Sequence, residues 1–357
     1  MKKRWKIAIG LGAVALAAIV VPVLYIEAGC RAPIPGLEAG QDYRPMLQPD
    51  ERRPEARTWL TYPEWHIVYS ADSFGRHLAA RPPSAYAYWP DISSFWSSYC
   101  LLNRATRGSD AAAEAKVMIH TIGISYSVEL AVKAAYENTI GRLFEWAGGW
   151  PSQGDAYAAR VQQRYGAFMH QTPWYRFPFG AALSGLWDIG TEPRPVRNWE
   201  RRLALSAEYG VKAGYARLID QATGATLGRD ELSLRFVALA APAALAAVDP
   251  RLKPVRSERG LTVVEAPRYA EFTELLLKLA DTRTELVEIA GNDDIFVTLL
   301  QPPGVALPTV GTAMLSMPLG DRPGWRRVGV TVKVPQLLDL LRQAQAGGGT
   351  IEHVYDY

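Results

Sequence analysis

Between Ile7 and Ile26 the chain has no charged side chain, and Lys2, Lys3, Arg4 and Lys6 stand immediately before that stretch. About 20 apolar residues, wound as one helix, match the hydrocarbon thickness of a bilayer. Basic residues flanking such a span stay in the cytoplasm. The sequence therefore predicts a signal-anchor helix over residues 1–28: a single pass through the cell inner membrane, with the body of the protein periplasmic. A cleaved secretory signal is the competing reading. Ala15-Leu16-Ala17 has the small-x-small form, but a cut there leaves a short apolar core of about eight residues; a later cut near Glu27-Ala28-Gly29 stays open. Gly29-Cys30 has the look of a lipoprotein acceptor, yet Glu27 stands three before the cysteine, where an aliphatic residue is required. Gly10-Leu11-Gly12-Ala13-Val14-Ala15 matches a loose dinucleotide fingerprint, but it lies inside the apolar span without a βαβ context and is set aside.

Of the chain's 357 residues about 330 follow the anchor, enough for one large domain or two ordinary ones. Four of the 39 basic residues precede the span, leaving 35 against 36 acidic ones. A neutral body lacks the basic footprint that nucleic acid demands, so that partner is excluded. Cys30 and Cys100 could pair in an oxidising compartment. The run Phe95-Trp96-Ser97-Ser98-Tyr99-Cys100-Leu101-Leu102 favours instead a buried thiol packing as a small hydrophobe.

Residues 29–57 hold Pro33, Pro35, Pro45, Pro49 and Pro54 and read as an extended spacer keeping the body off the membrane. Residues 58–225 are expected to be mainly helical: one helix from Thr61 to about Ala80, a region from about Ala111 to Trp146 broken near Gly123, a third after Asp155, and a fourth from Asn198 to about Asp220. From residue 226 the pattern turns to short β-rich runs. Glu285 to Ala290 and Ile295 to Leu300 flank Gly291-Asn292-Asp293-Asp294, a hairpin-turn composition. From 261 the order strand, helix, hairpin, strands, helix, strand predicts a C-terminal ferredoxin-like α+β sandwich with extra strands over 226–357. The whole is α+β, and the fold names no function.

Two helical stretches repeat. Glu129 to Ile140 aligns with Glu208 to Ile219 with Glu, Val, Lys, Ala, Tyr and Ile in common, and Ala131 and Ala135 answer Gly210 and Gly214. At 100° per residue Glu129, Lys133, Tyr136 and Ile140 share one face and the small residues lie opposite. Small residues four apart permit close helix approach, so the two helices are expected to pack through those faces with their Glu-Lys-Tyr rows turned apart. Lys133, Tyr136, Lys212 and Tyr215 are candidates to bind an anionic ligand; the bland reading is a solvated Glu-to-Lys pair on each helix.

Candidate acid–base groups are Glu137, Arg142 and Glu145, which could share one cleft, against the plainer reading of an interhelical salt-bridge network. His66 and His120 are candidate haem ligands, and His66 is also a catalytic candidate, against the plainer reading of hydrogen-bonded core histidines. No metal motif, nucleophile elbow or phosphate loop occurs, and the cofactor is left unknown. Aromatic residues crowd residues 58–225, most densely at Trp174, Tyr175, Phe177, Phe179 and Trp187. Rings of that kind favour the headgroup zone of a membrane, so Trp174, Tyr175 and Trp187 are candidates to bind a lipid-like ligand. Two functions follow. One is a binding or accessory module for a lipid-like or small hydrophobic ligand or a membrane partner, the other an enzyme acting on a small or membrane-derived molecule.

Overall fold

The computed structural model describes residues 17, 19–30, 43–52, 61–105, 112–226 and 232–356. The protein is α+β, with a helical N-terminal part and two four-stranded antiparallel sheets. Most of the expected anchor, residues 1–16 and 18, lies outside the described residues. The described remainder of the anchor, α1 (19–29), ends in a π-helical turn, Tyr25–Gly29. Among the described residues no helix is long and apolar enough to cross a membrane.

The helical part comprises α2 (Tyr62–Ala80), α3 (Tyr88–Ala105), α4 (Ala112–Tyr136), α5 (Arg142–Gly148), α6 (Gln153–Met169), α7 (Phe179–Trp187) and α8 (Pro195–Thr226). Helix α6 starts where a capping box forms: Ser152 and Asp155 satisfy each other's backbone N–H groups. Two helices depart from expectation. The sequence placed no helix at α3, where rings outnumber any apolar period, nor at α7, which begins one residue after Pro178, where proline's missing N–H costs nothing. The break in the 111–146 region is also not at Gly123 but at a π-helical turn, Glu137–Gly141, between α4 and α5. Gly123 serves packing instead, since a β-carbon there would lie 2.4 Å from the Phe95 ring of α3.

The C-terminal part has two sheets rather than the single sandwich expected from residue 261. The first is built from β1 (Ser233–Leu239), α9 (Pro242–Val248), β2 (Lys253–Glu258), β3 (Leu261–Pro267), α10 (Ala270–Ala280) and β4 (Glu285–Ile289), in the order β2-β3-β1-β4. The second is built from β5 (Asp294–Gln301), β6 (Thr312–Pro318), β7 (Arg326–Lys333), α11 (Leu337–Ala346) and β8 (Thr350–Val354), in the order β6-β7-β5-β8. The two orders are the same when counted from each unit's first strand, and residues 302–311 stand where the second unit would carry its first helix. The expected hairpin across Gly291 does not form: β4 and β5 belong to different sheets, and Ala290 and Gly291, both at positive φ, turn the chain from one to the other.

Period-two alternation explains why β5 is buried on both faces. Ile295, Val297 and Leu299 enter a core shared by both sheets with α10 and α11, while Phe296 meets Tyr62 and Tyr355 and Thr298 bonds Tyr69. The second sheet is thereby sandwiched between its own helix layer and the helical part. The outer face of the first sheet, Val237 and Val263, is covered by residues 43–52 through Leu47. In that strap buried Glu288 accepts from the Tyr43 hydroxyl and the Met46 and Leu47 backbone N–H groups, and Glu51 lies between Arg235 and Arg256.

Of the expected spacer, residues 31–42 and 53–57 lie outside the described residues, and the described ones are held to the body. Cys30 and Cys100 are joined in a disulfide, Cα atoms 5.3 Å apart, in place of the expected free Cys100 thiol. Ile26 and Cys30 are buried in the core of the helical part, and Asn103 donates to the carbonyls of both. Glu27 pairs with His120 and Lys116 of α4. The C-terminal end of α1 is thus fixed to α3 and α4, and residues 43–52 are fixed to the first sheet.

Candidate functional site

The Glu-Lys rows of the repeat face each other, contrary to the expected packing through small residues. Lys133 reaches Glu129 at 3.1 Å and Glu208 at 2.9 Å; Lys212 reaches Glu129 at 2.9 Å and Glu208 at 3.4 Å. The short cross-helix contacts pair 129 with 212 and 133 with 208, so α4 and α8 run antiparallel about a local two-fold axis through this quartet. Attraction between two acids and two bases outweighs close backbone approach here. Gly210 and Gly214 meet nothing within 4 Å, and Ala135 is exposed. Burial alone would depress the Lys133 ammonium, but Glu208 and Glu129 overcome it and hold its pKa well above the ordinary lysine value. Burial likewise raises Glu129 and Glu208, and the two lysines more than reverse it, leaving both carboxyls below the ordinary glutamate value.

The ionic row continues toward α5. Arg201 forks Glu137 at 2.8 and 3.2 Å and also meets Glu200, which accepts from the Tyr136 hydroxyl. Arg197, fully buried, donates to Asp155 at 2.8 and 3.2 Å, Glu200 at 2.9 Å, the Gly141 carbonyl at 3.0 Å and Glu145 at 3.4 Å. Ser84 closes the end of the row by donating to Glu145 at 2.5 Å. The helices touch there because position 148 is glycine: a β-carbon would lie 2.7 Å from the Arg197 backbone nitrogen. Glu137 and Glu145 therefore join one network, whereas Arg142, the third candidate, is exposed and lies outside it. Arg197, Arg201, Glu200 and Asp155 do the bridging. Sequence reasoning passed over them, although Arg197-x-x-Glu200-Arg201-Arg202 is the densest run of charge in α8. Burial pushes the Glu137 carboxyl above the ordinary value, with Arg201 and Arg197 opposing. A cavity of about 40 Å³ beside it, lined among others by Lys133, Glu137, Asp155, Arg201 and Glu208, has room for about two or three waters and none for a lipid.

The other candidates disperse. His66 is buried in a separate cluster, its Nε2 3.4 Å from Asp91, which also accepts from Ser70 and Tyr86. Burial would raise Asp91, and His66 with these hydroxyls lowers it below the ordinary aspartate value. Phe177 and Phe179 are core residues against Tyr165. Trp174 and Tyr175 are half-buried, with Trp174 5.6 Å from the Tyr215 ring. Trp187 lies at the surface 6.1 Å from Trp199, and Arg202 sits over both rings. Among the described residues no three His, Cys, Asp or Glu side chains group to hold a metal ion.

Most of what α4 and α8 turn outward is apolar, with Glu129, Arg217 and Asp220 the exposed charged side chains among the described ones. Val117, Val128, Val132 and Ala135 of α4, and Val196, Trp199, Leu203, Ala207, Val211, Gly214 and Leu218 of α8, each fall on one exposed stripe. Val132, Leu203, Val211 and Trp146 are 64, 64, 72 and 84 % exposed. Each stripe lies on the same rotational side of its helix's Glu-Lys row. Antiparallel pairing through those rows therefore turns both stripes to one side of the molecule. From Val196 to Leu218 the α8 stripe is about 30 Å long. No family model, no curated protein and no solved structure matches the chain.

Proposed function

We propose that the chain is a membrane-anchored periplasmic protein whose helical part is a non-catalytic binding or accessory module, offering an apolar surface to a lipid-like ligand or membrane partner. The paired outer stripes of α4 and α8 carry this reading. Glu129, Lys133, Glu208 and Lys212 neutralise one another between the helices, and what remains outside, over 117–135 and 196–214, is a broad surface poor in charge, of the kind that marks an interaction site. The candidate acid–base groups favour binding over catalysis: Glu137 and Glu145 are each held by a buried guanidinium, and His66 lies in a different cluster. The disulfide fits an oxidising compartment, in keeping with an anchor whose basic end stays in the cytoplasm. Each C-terminal unit is, on this reading, ferredoxin-like, the second a variant with a loop in place of one helix.

The test is fractionation of cells expressing the full chain, with thiols blocked before lysis. The chain is expected in carbonate-washed membranes, its two cysteines reacting only after reduction. Release into the wash, or two reactive thiols without reduction, contradicts the assignment.

A further inference from the structure

We infer that the α4/α8 outer face beds into the surface of a lipid bilayer, so that the helical part is a second membrane attachment lying flat beside the anchor. This rests on the membrane reading above and names the partner of the same surface.

Four observations choose lipid over a soluble partner. The first is charge. Along the α8 stripe from Val196 to Leu218, and the α4 stripe from Val117 to Ala135, the exposed positions are apolar, small or hydroxylic apart from Arg217 near the end of the α8 stripe and Glu129 at the α4 margin, held by two lysines. A protein interface of that length carries a polar rim and direct hydrogen bonds. The second is that two hydroxyls on this face and its continuation are satisfied within the chain. Thr121 donates to the Val117 carbonyl and Thr139, in the π-helical turn, to the Ala135 carbonyl, each four residues back. That is how hydroxyls are satisfied in a medium without hydrogen-bonding partners. The third is the placing of rings. Trp146, Trp187 and Trp199 stand at the end where α5 meets the start of α8, and Trp174 packs on Tyr215 toward the other. Indole and phenol rings sit at headgroup depth. The fourth is continuity with the anchor. Ile19, Val20, Val21 and Leu24 of α1 are exposed; the disulfide ties the end of that helix to α3, and Glu27 holds it against the start of α4. The apolar segment and the apolar face thus meet at one corner of the molecule. Since α2 and α6 pack behind α4 and α8, the pair lies in the interface rather than crossing it.

The experiment uses the full chain in phosphatidylethanolamine–phosphatidylglycerol vesicles doped with a phospholipid whose acyl chain carries a diazirine. After irradiation, adducts are mapped by peptide mass spectrometry. Adducts are expected on 117–135 and 196–218 as well as on 7–25. In a Val132→Lys, Val211→Lys variant the α4 and α8 adducts are lost while those on 7–25 persist; a Val132→Thr, Val211→Thr variant keeps both sets. Both positions are exposed, so the melting curve of each variant should match the parent. Adducts confined to 7–25 overturn the inference and leave the anchor intact. Adducts on α4 and α8 without any on 7–25 uphold it and sink the anchor instead. Unlabelled α4 and α8 together with a dimer in native mass spectrometry make a second copy the occupant and overturn it.

Discussion

At the scale of single residues the helical part is organised by two arginines. Arg197 pairs with Asp155, Glu200 and Glu145 at no solvent exposure, and buried Arg201 pairs with Glu137 and Glu200. Removing one partner of a buried ion pair leaves a charge without compensation, which typically costs about 3–5 kcal/mol. Arg197→Met is therefore expected to lower the urea midpoint by that equivalent, with Arg197→Lys losing less because the charge remains. The quartet has a pH signature. Glu129 and Glu208 have folded pKa values below the ordinary 4.5, so they stabilise the fold above that pH, and the contribution is lost as pH falls through the folded values. Glu137, shifted upward, has the opposite sign: its contribution is full below 4.5 and lost as pH rises through its folded value. Melting temperature should fall on acidification from pH 4.5, and a Glu129→Gln, Glu208→Gln variant should show a flatter dependence there. A parallel dependence in both proteins would count against the quartet.

At the scale of elements the sequence carried much of the plan and missed specific joints. Capping residues and apolar periods marked α2 and α6, and β-rich runs marked β4 and β5. Helices α3 and α7 were missed because aromatic packing and prolines obscure the 3.6-residue period. The π-helical turn at Glu137 carries no local signal; it swings Glu137 inward toward Arg201, a partner 64 residues away. The repeat was legible, but not its direction of packing. Small faces and charged faces were both plausible contacts, and only the cross-helix match of Glu with Lys decides between them. The same limit applies to Cys30 and Cys100, whose pairing depends on α1 docking against α3. For a loop of 70 residues the disulfide is expected to contribute about 4 kcal/mol. A Cys30→Ser, Cys100→Ser variant should therefore unfold at a clearly lower urea concentration, and α1 amides should exchange faster while those of the second sheet do not. Unchanged exchange in α1 would mean that Ile26 and Asn103 hold it without the bond.

At the scale of the molecule the parts form a stack: first sheet, α10 and α11, second sheet, and helical part, with the strap at 43–52 closing one end. Everything with buried charge lies inside that stack or between α4 and α8. The large surface poor in charge lies on the far side, beside the end of α1. The central claim is that this surface meets lipid. The most direct measurement is the tryptophan emission of the full chain in vesicles, compared with a Trp146→Phe, Trp187→Phe, Trp199→Phe variant, using acyl-brominated lipid as one quencher and aqueous acrylamide as the other. The account predicts that the emission lost in the variant is the part quenched by brominated lipid and shielded from acrylamide. If acrylamide quenches that part while brominated lipid leaves it untouched, the face is open to water and the claim is contradicted.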